Sequence, residues 1–206
     1  TNITPIHLDR HPSMAAYAAA KFNLLGHLRP DSQVILNADD AVTQRLQIGG
    51  VRLAETPLPS SWNMEPVLAA TRSQLAALQS PITFFSRTQQ LESGAWLAGD
   101  KLLYNGEVIC RRSQIKLRGD HNVSNLLAAA AISGAAGATV EAMGDIARSF
   151  AGVPHRLQIV AEMGGVTWIN DSIATAPERA VAALRSFEHD QQTLILLAGG
   201  KDKNLP

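Results

Sequence analysis

Lys21 is the first residue whose placement suggests chemistry. On a helix, Met14, Tyr17, Lys21, Leu25 and Leu28 fall on one stripe by steps of three and four. A lysine inside an apolar stripe has two readings. Either its stem packs while the ammonium reaches water, or it is a partly buried and more readily neutral amine that can be modified or can handle phosphate. The chain has only five lysines, at positions 21, 101, 116, 201 and 203, so one on an apolar stripe is not surface filler by default. His7 and Asp9, just before this helix, form a His-x-Asp pair, a spacing that suits metal ligation and also occurs in turns. His11 and His27 have no partner by spacing.

Further runs carry polar groups at element boundaries. Gly119-Asp-His-Asn122-Val-Ser-Asn125 opens an Ala-rich helix. Asn122 and Asn125 are three apart and share one side of its first turn. Their amides, donor beside acceptor, match an adenine edge, or they cap the helix. In Pro154-His155-Arg156 a planar guanidinium is placed to bind phosphate, ribose or carboxylate, or to bridge two domains. Asp171-Ser-Ile-Ala-Thr175-Ala-Pro177 runs from a strand end into a helix start, where free N–H groups and the Thr175 hydroxyl offer an anion site or ordinary capping. Gly199-Gly-Lys201-Asp-Lys203 presents two lysines on a Gly-rich turn but lacks the spacing of a Walker A loop. Cys110 has no nearby partner and reads as a buried structural thiol.

The elements that must position these residues follow from periodicity and turn signals. A helix from Ser13 to about Leu28 is expected, then a buried strand over 33–37 ending at the turn Asn37-Ala-Asp-Asp40. Residues 48–62 read as a loop and 64–78 as a helix. Short strands are expected at 82–86, 94–98, 101–104, 107–110 and 114–118, with hairpin turns at Gly99-Asp100 and Asn105-Gly106. Helices from about Asn122 and over 140–150 lead to a boundary at Gly152-Val-Pro154. Beyond it come strands 156–163 and 166–170, a helix over 177–187 and a strand over 193–198. Strand, helix and strand in that order predict a parallel pair, whose carboxyl ends bring the 171–175 and 201–203 loops to one edge.

Composition narrows the function classes. The 206 residues carry 18 Lys+Arg and 18 Asp+Glu, with 46% hydrophobic and 17% charged residues. That content builds a core and excludes a disordered tail. The low charge content points to surface that meets protein or ligand, and the neutral balance gives nucleic-acid binding no support. One Cys permits no internal disulfide and fits a reducing compartment. The start lacks the apolar stretch of a signal peptide, and 126–140, mostly Ala and Gly, is too short to span a bilayer, so no membrane insertion is expected.

Taken in order, His-Leu-Asp-Arg-His11, Ala-Ala-Ala-Lys21, Asn37-Ala-Asp-Asp40, Gly-Asp-His-Asn-Val-Ser-Asn125 and Gly-Val-Pro-His-Arg156 resemble the ATP-dependent Mur ligases. Trp168-Ile-Asn-Asp-Ser-Ile-Ala-Thr175-Ala-Pro and Gly-Gly-Lys-Asp-Lys203 look like those of the family's D-glutamate-adding members. The resemblance covers the chain except roughly 48–80. It implies an α/β fold: part of a P-loop-type central ATPase domain with an antiparallel hairpin region over 1–153, then the start of a Rossmann-like carboxyl-terminal domain over 154–206. The reaction implied joins D-glutamate to UDP-N-acetylmuramoyl-L-alanine in peptidoglycan precursor synthesis. ATP activates the carboxylate as an acyl phosphate, which the amine then attacks. The implied setting is the bacterial cytoplasm, with Mg²⁺ as cofactor and a monomeric enzyme.

By the same resemblance, Lys21 takes up CO₂ as a carbamate that ligates Mg²⁺ together with His7. Asn122 and Asn125 meet the adenine, Arg156 and Asp171 the ribose and phosphates, and Thr175 and Lys203 the D-glutamate carboxylates. Ile173 stands where some members carry a phosphate-contacting lysine. A UDP-binding domain, a phosphate loop and the end of the last domain are not among these motifs, so the expectation is a fragment inactive by itself. The alternatives are another amide ligase of the superfamily, such as a folylpolyglutamate synthase, which the Asp171–Pro177 segment disfavours, and a non-catalytic nucleotide-binding or interaction module.

Overall fold

The computed structural model describes all residues except 1, 6, 7, 9, 30, 47–55, 79, 80, 176, 189, 191, 192 and 200–206. Its centre is a five-stranded mixed sheet in the order β1 (Val34–Asn37), β2 (Ile82–Ser86), β3 (Ala95–Ala98), β4 (Lys101–Tyr104), β5 (Glu107–Arg111). The first three strands run parallel, and the last three form an antiparallel meander. Both hairpin turns fall where the Gly-containing dipeptides are. Asn105 and Gly106 both have positive φ, 48° and 87°, the backbone that a two-residue loop between twisted strands requires.

Helices cover the sheet in two groups. On one side α4 (Asp120–Ala135) and α5 (Val140–Ser149) bury Val123, Leu127, Ala131 and Met143 against Phe85, Leu102 and Ile109. Small residues on α4 let it lie close to the strands. Cys110 belongs to this core, where burial pushes its thiol up against the opposite pull of Arg148. In the second group α1 (Met14–Phe22), the short α2 (Ala41–Gln44) and α3 (Glu65–Ala77) enclose Val34 and Leu46. Residues 48–80 carry no recognisable motif, but α3 from this stretch gives Leu68 and Leu75 to the second core and packs on α1.

Several expectations are corrected. The first helix stops at Phe22 and continues as a 3₁₀ turn over Asn23–His27, so its buried face is Met14, Tyr17, Ala18 and Phe22. Lys21 lies beside that face, not in it. It is exposed, with its ammonium 5.5 Å from the centre of the Tyr17 ring. The expected strand over 114–118 is absent. After β5 the chain turns through a 3₁₀ segment, Arg112–Gln114, held by Gln114 Oε1 accepting from the Arg111 N–H at 2.8 Å.

Beyond the boundary, β6 (Gln158–Met163) and β7 (Val166–Asn170) form an antiparallel pair, followed by α6 (Pro177–Arg185). Residues 193–199 form no strand, which corrects the expected parallel pair. A strand exists only through the neighbour that takes its N–H and C=O groups. Here the apolar run Leu194–Leu197 is exposed, with Ile195 at 80% and Leu197 at 82%.

Two carboxylates lock the amino-terminal half of the sheet. Asp40 is buried and caps α2, its Oδ1 accepting from the Val42 and Thr43 N–H groups at 3.1 and 3.0 Å and its Oδ2 from the Ile3 N–H at 2.7 Å. Asp39 crosses to the end of β2. It accepts from the Ser86 hydroxyl, the Arg87 N–H at 2.6 Å and the Thr88 hydroxyl at 2.6 Å. Burial pushes the Asp39 carboxyl up, but the hydrogen bonds from Ser86, Thr88 and Arg87 outweigh it and hold the group below its ordinary range.

Two predictions follow from this packing. A Cβ at Gly94, whose φ is +95°, would lie 2.0 Å from the Phe84 carbonyl oxygen, whereas one at Gly99, also at positive φ, meets nothing. Gly94→Ala should therefore cost about 3 kcal/mol and Gly99→Ala about 1 kcal/mol in denaturant unfolding; equal losses would contradict the close approach. For Asp39, a lowered folded-state value means that its contribution is complete above about pH 4 and disappears as the pH falls through that lowered value. Asp39→Asn should cost about 1–2 kcal/mol at pH 7, with the difference from wild type shrinking on the acid side in melts taken across pH.

Candidate functional site

The parallel strands β1 and β2 end side by side, and the chain leaves both at the same edge of the sheet. In such sheets the crevice beyond the strand ends is the natural place for a ligand. A cleft of about 410 Å³ lies there. Asn37, Asp39 and Asp40 from the end of β1, Arg87 from the end of β2, and His121, Ser124 and Asn125 from the start of α4 line it, with Trp62 and Asn2 at its margin. Much of this lining is already committed to itself. Asn37 Nδ2 donates to Asn2 Oδ1 at 2.6 Å, while Asn37 Oδ1 accepts from the Asp39 N–H at 2.9 Å. Both aspartates are spent on N–H and hydroxyl donors.

The two asparagines of α4 divide their roles. Asn122 is buried; its Nδ2 donates to the Arg118 carbonyl at 2.7 Å, and its Oδ1 accepts from Asn125 Nδ2 at 3.3 Å. Asn125 is exposed and lines the cleft. Asn122 is thus a support, and Asn125 is the amide offered to a ligand. His121 is half-buried. Burial lowers its pKa, Asp171 and Asp120 work against that, and Arg156 adds to it. The ring is therefore largely neutral at pH 7 and can donate or accept through one nitrogen each.

Asp171 and Arg156, which act on His121 in opposite directions, belong to the segment after the Gly152–Pro154 stretch. Arg156 is exposed, between His155 and Leu157, which both have left-handed backbone with φ of 66° and 46°. Such residues cost roughly 1–2 kcal/mol each and persist only when neighbours fix them. Here the His155 N–H donates to Gln158 Oε1 at 2.9 Å and the Leu157 N–H to Asp171 Oδ1 at 3.0 Å. The His155 carbonyl accepts from the Ile173 N–H at 3.2 Å, which ties the 171–175 loop to the same turn. Thr175, at the end of that loop, is exposed.

Residues 186–190 are joined to the start of α4 by Arg118. Its Nη1 donates to Asp190 Oδ2 at 2.7 Å, and its guanidinium stacks 4.6 Å above the Phe187 ring centre. Gly119 lets the segments approach: at φ +88° it comes so near that a Cβ would lie 2.9 Å from Ser186 Cβ and 2.8 Å from the His121 ring. Asn125 lines the cleft and Asn122 supports it, whereas Arg156 and Asp171 reach the amino end of α4 only through their electrostatic influence on His121 and do not line the cleft. Lys21 is not among the residues lining the cleft, and His7 and Lys203 lie outside the described residues. Arg87 and His121 are lining residues that motif reading did not single out; the rule that ligands gather at the ends of parallel strands points to the first.

The fit of a divalent cation can be tested on these groups. Among the described residues no group of three His, Cys, Asp or Glu side chains forms a metal cage. The carboxylates that line the cleft, Asp39 and Asp40, already accept from N–H and hydroxyl donors on both of their oxygens. No helix among the described residues is long and apolar enough to cross a membrane.

Comparison with known proteins agrees with this architecture. The Mur ligase middle domain matches residues 1–133. Over 206 residues the chain is 37% identical to a UDP-N-acetylmuramoylalanine–D-glutamate ligase from Clostridium novyi (strain NT), with all of this chain and 38% of that protein covered. It is 36% identical to the ligase of the same name from Pelotomaculum thermopropionicum, with 98% of this chain and 38% of that protein covered. The chain thus spans about two fifths of the length of these curated relatives. Among solved structures, MurF from Acinetobacter baumannii superposes with a TM-score of 0.61 at 19% identity, covering 90% of this chain and 36% of that one, a likeness of fold. With more than half of its residues matched by the middle domain, this chain belongs to the Mur ligase family.

Proposed function

We propose that this chain forms part of an ATP-dependent ligase that joins D-glutamate to UDP-N-acetylmuramoyl-L-alanine in the bacterial cytoplasm, with 1–153 belonging to the central domain and 154–206 to the domain that follows. The carrying observation is the cleft at the ends of β1 and β2, lined by His121 and Asn125 from the start of α4, with Asp171 and Arg156 near enough to act electrostatically on His121. The names of the relatives, 36–37% identical along essentially all of this chain, support the choice of substrates.

The chemistry required is the activation of a poor electrophile. ATP transfers its γ-phosphoryl group to the substrate carboxylate, giving an acyl phosphate and ADP. The D-glutamate amine attacks the acyl carbon, the tetrahedral adduct expels phosphate, and the amine loses a proton. Mg²⁺, when bound, offsets the negative charge of the phosphates. Asn125, whose Nδ2 is taken by Asn122 Oδ1, is proposed to accept through its free Oδ1 a hydrogen bond from the exocyclic amine of adenine. Arg156 and Asp171 suit the ribose and phosphates. Thr175 and Lys203 are proposed to hold the D-glutamate carboxylates. We assign to Lys21 a carbamate: its neutral amine attacks CO₂, an N–C bond forms and a proton is released. Its exposure leaves the amine open to CO₂, and the carboxylate so made, with His7, adds ligands of the kind that the described cleft residues lack for a cation.

The test of the reaction is phosphate release by the complete enzyme. It should require ATP, UDP-N-acetylmuramoyl-L-alanine and D-glutamate together; turnover with a folate and L-glutamate instead would overturn the assignment. In the same assay Lys21→Ala should lose nearly all turnover and regain part of it with acetate, which restores a carboxylate. Near-normal turnover without acetate would reject the carbamate.

A further inference from the structure

Arg87 is the one lysine or arginine among the described residues that line the cleft. It follows the last residue of β2, and its side chain is 31% exposed. Its Nη1 lies 2.9 Å from Asp120 Oδ2, in the first turn of α4. Asp120 does not depend on it, because Arg112 bonds the other carboxylate oxygen. The Arg112 hydrogen bond is the main cause that holds Asp120 below the ordinary carboxylate range, with burial acting against it and the Arg87 charge adding to it. One carboxylate therefore holds two guanidinium groups, and the one that faces the cleft is surplus. The other anions of the cleft do not claim it. Asp39 and Asp40 are satisfied by Ser86, Thr88 and backbone N–H groups.

We propose that Arg87 is a phosphate-binding residue of this cleft: it rests on Asp120 in the free protein and turns to the phosphate chain of an adenine nucleotide whose base lies at Asn125. The proposal rests on the nucleotide-dependent reading given above and names a residue for it. Exchange is favoured because a guanidinium can meet two phosphate oxygens at once through its planar fork. Asp120 loses one partner but keeps Arg112, so no carboxylate is stranded. The nucleotide's charge is then met from the β2 side by a group already positioned by Asp39, which accepts from the Arg87 N–H.

Calorimetric binding of ATP and of adenosine to the complete enzyme, without the other substrates, separates the outcomes. Wild type should bind ATP more tightly than adenosine. Arg87→Gln should weaken ATP about 10- to 100-fold and leave adenosine unchanged. Arg87→Lys, which keeps the charge without the fork, should fall between. It also serves as the informative variant if the Gln protein fails to fold. Asp120→Asn should tighten ATP by releasing Arg87. Equal weakening of ATP and adenosine in the Arg87 variants would overturn the proposal by assigning Arg87 to the shape of the cleft. An unchanged ratio of the two affinities would overturn it as well. Wild-type protein that binds neither ligand would overturn the nucleotide reading itself, and the proposal with it.

Discussion

Adjacent carboxylates at positions 39 and 40 face opposite ways out of one tight turn, and both must find hydrogen-bond donors because the turn is largely buried. Asp40 takes the amino end of α2 and the extended segment at Ile3; Asp39 takes the end of β2. Neither can be satisfied unless β1, β2 and the amino-terminal segment stand in one arrangement. The cleft follows from that arrangement. Its floor is the pair of strand ends, and its width is set by how far Asp39 reaches across to Ser86 and Arg87.

The opposite wall is governed by a different economy. There α4 begins at a glycine that no side chain caps, so the segment before it can lie almost in contact with residue 186. Arg118 holds that contact through Asp190 and Phe187, and its carbonyl receives the amide of Asn122. A single residue thus touches both the segment 186–190 and the support of Asn125.

Much of this was legible in the residues. The Asn105-Gly106 turn, the helices over 64–78, from about Asn122 and over 140–150, and the asparagines at spacing three all read through to the structure, because each depends on local sequence. The failures have a shared physical cause. The stripe through Lys21 assumed an unbroken helix to Leu28, but the chain tightens after Phe22 and the buried face is set by Ala18 and Phe22. The apolar run at 193–198 has a strand's composition, but composition supplies no neighbour to pair with. Arg87 carries no local signature at all. Its importance comes from Asp120, thirty-three positions away in sequence and 2.9 Å away in space.

The order of the strands also bears on how the protein acquires its shape. The meander of β3, β4 and β5 is closed by turns of two residues, so it can form early and alone. The parallel pairing of β1 with β2 spans residues 38–81 and has to wait for a long loop to close. The floor of the cleft comes from that non-local pair, so it is complete only once β1 has paired with β2. Ligand recognition in this chain is consequently a report on completed folding: whatever binds at the ends of β1 and β2 stabilises the last step to form and leaves the first ones indifferent.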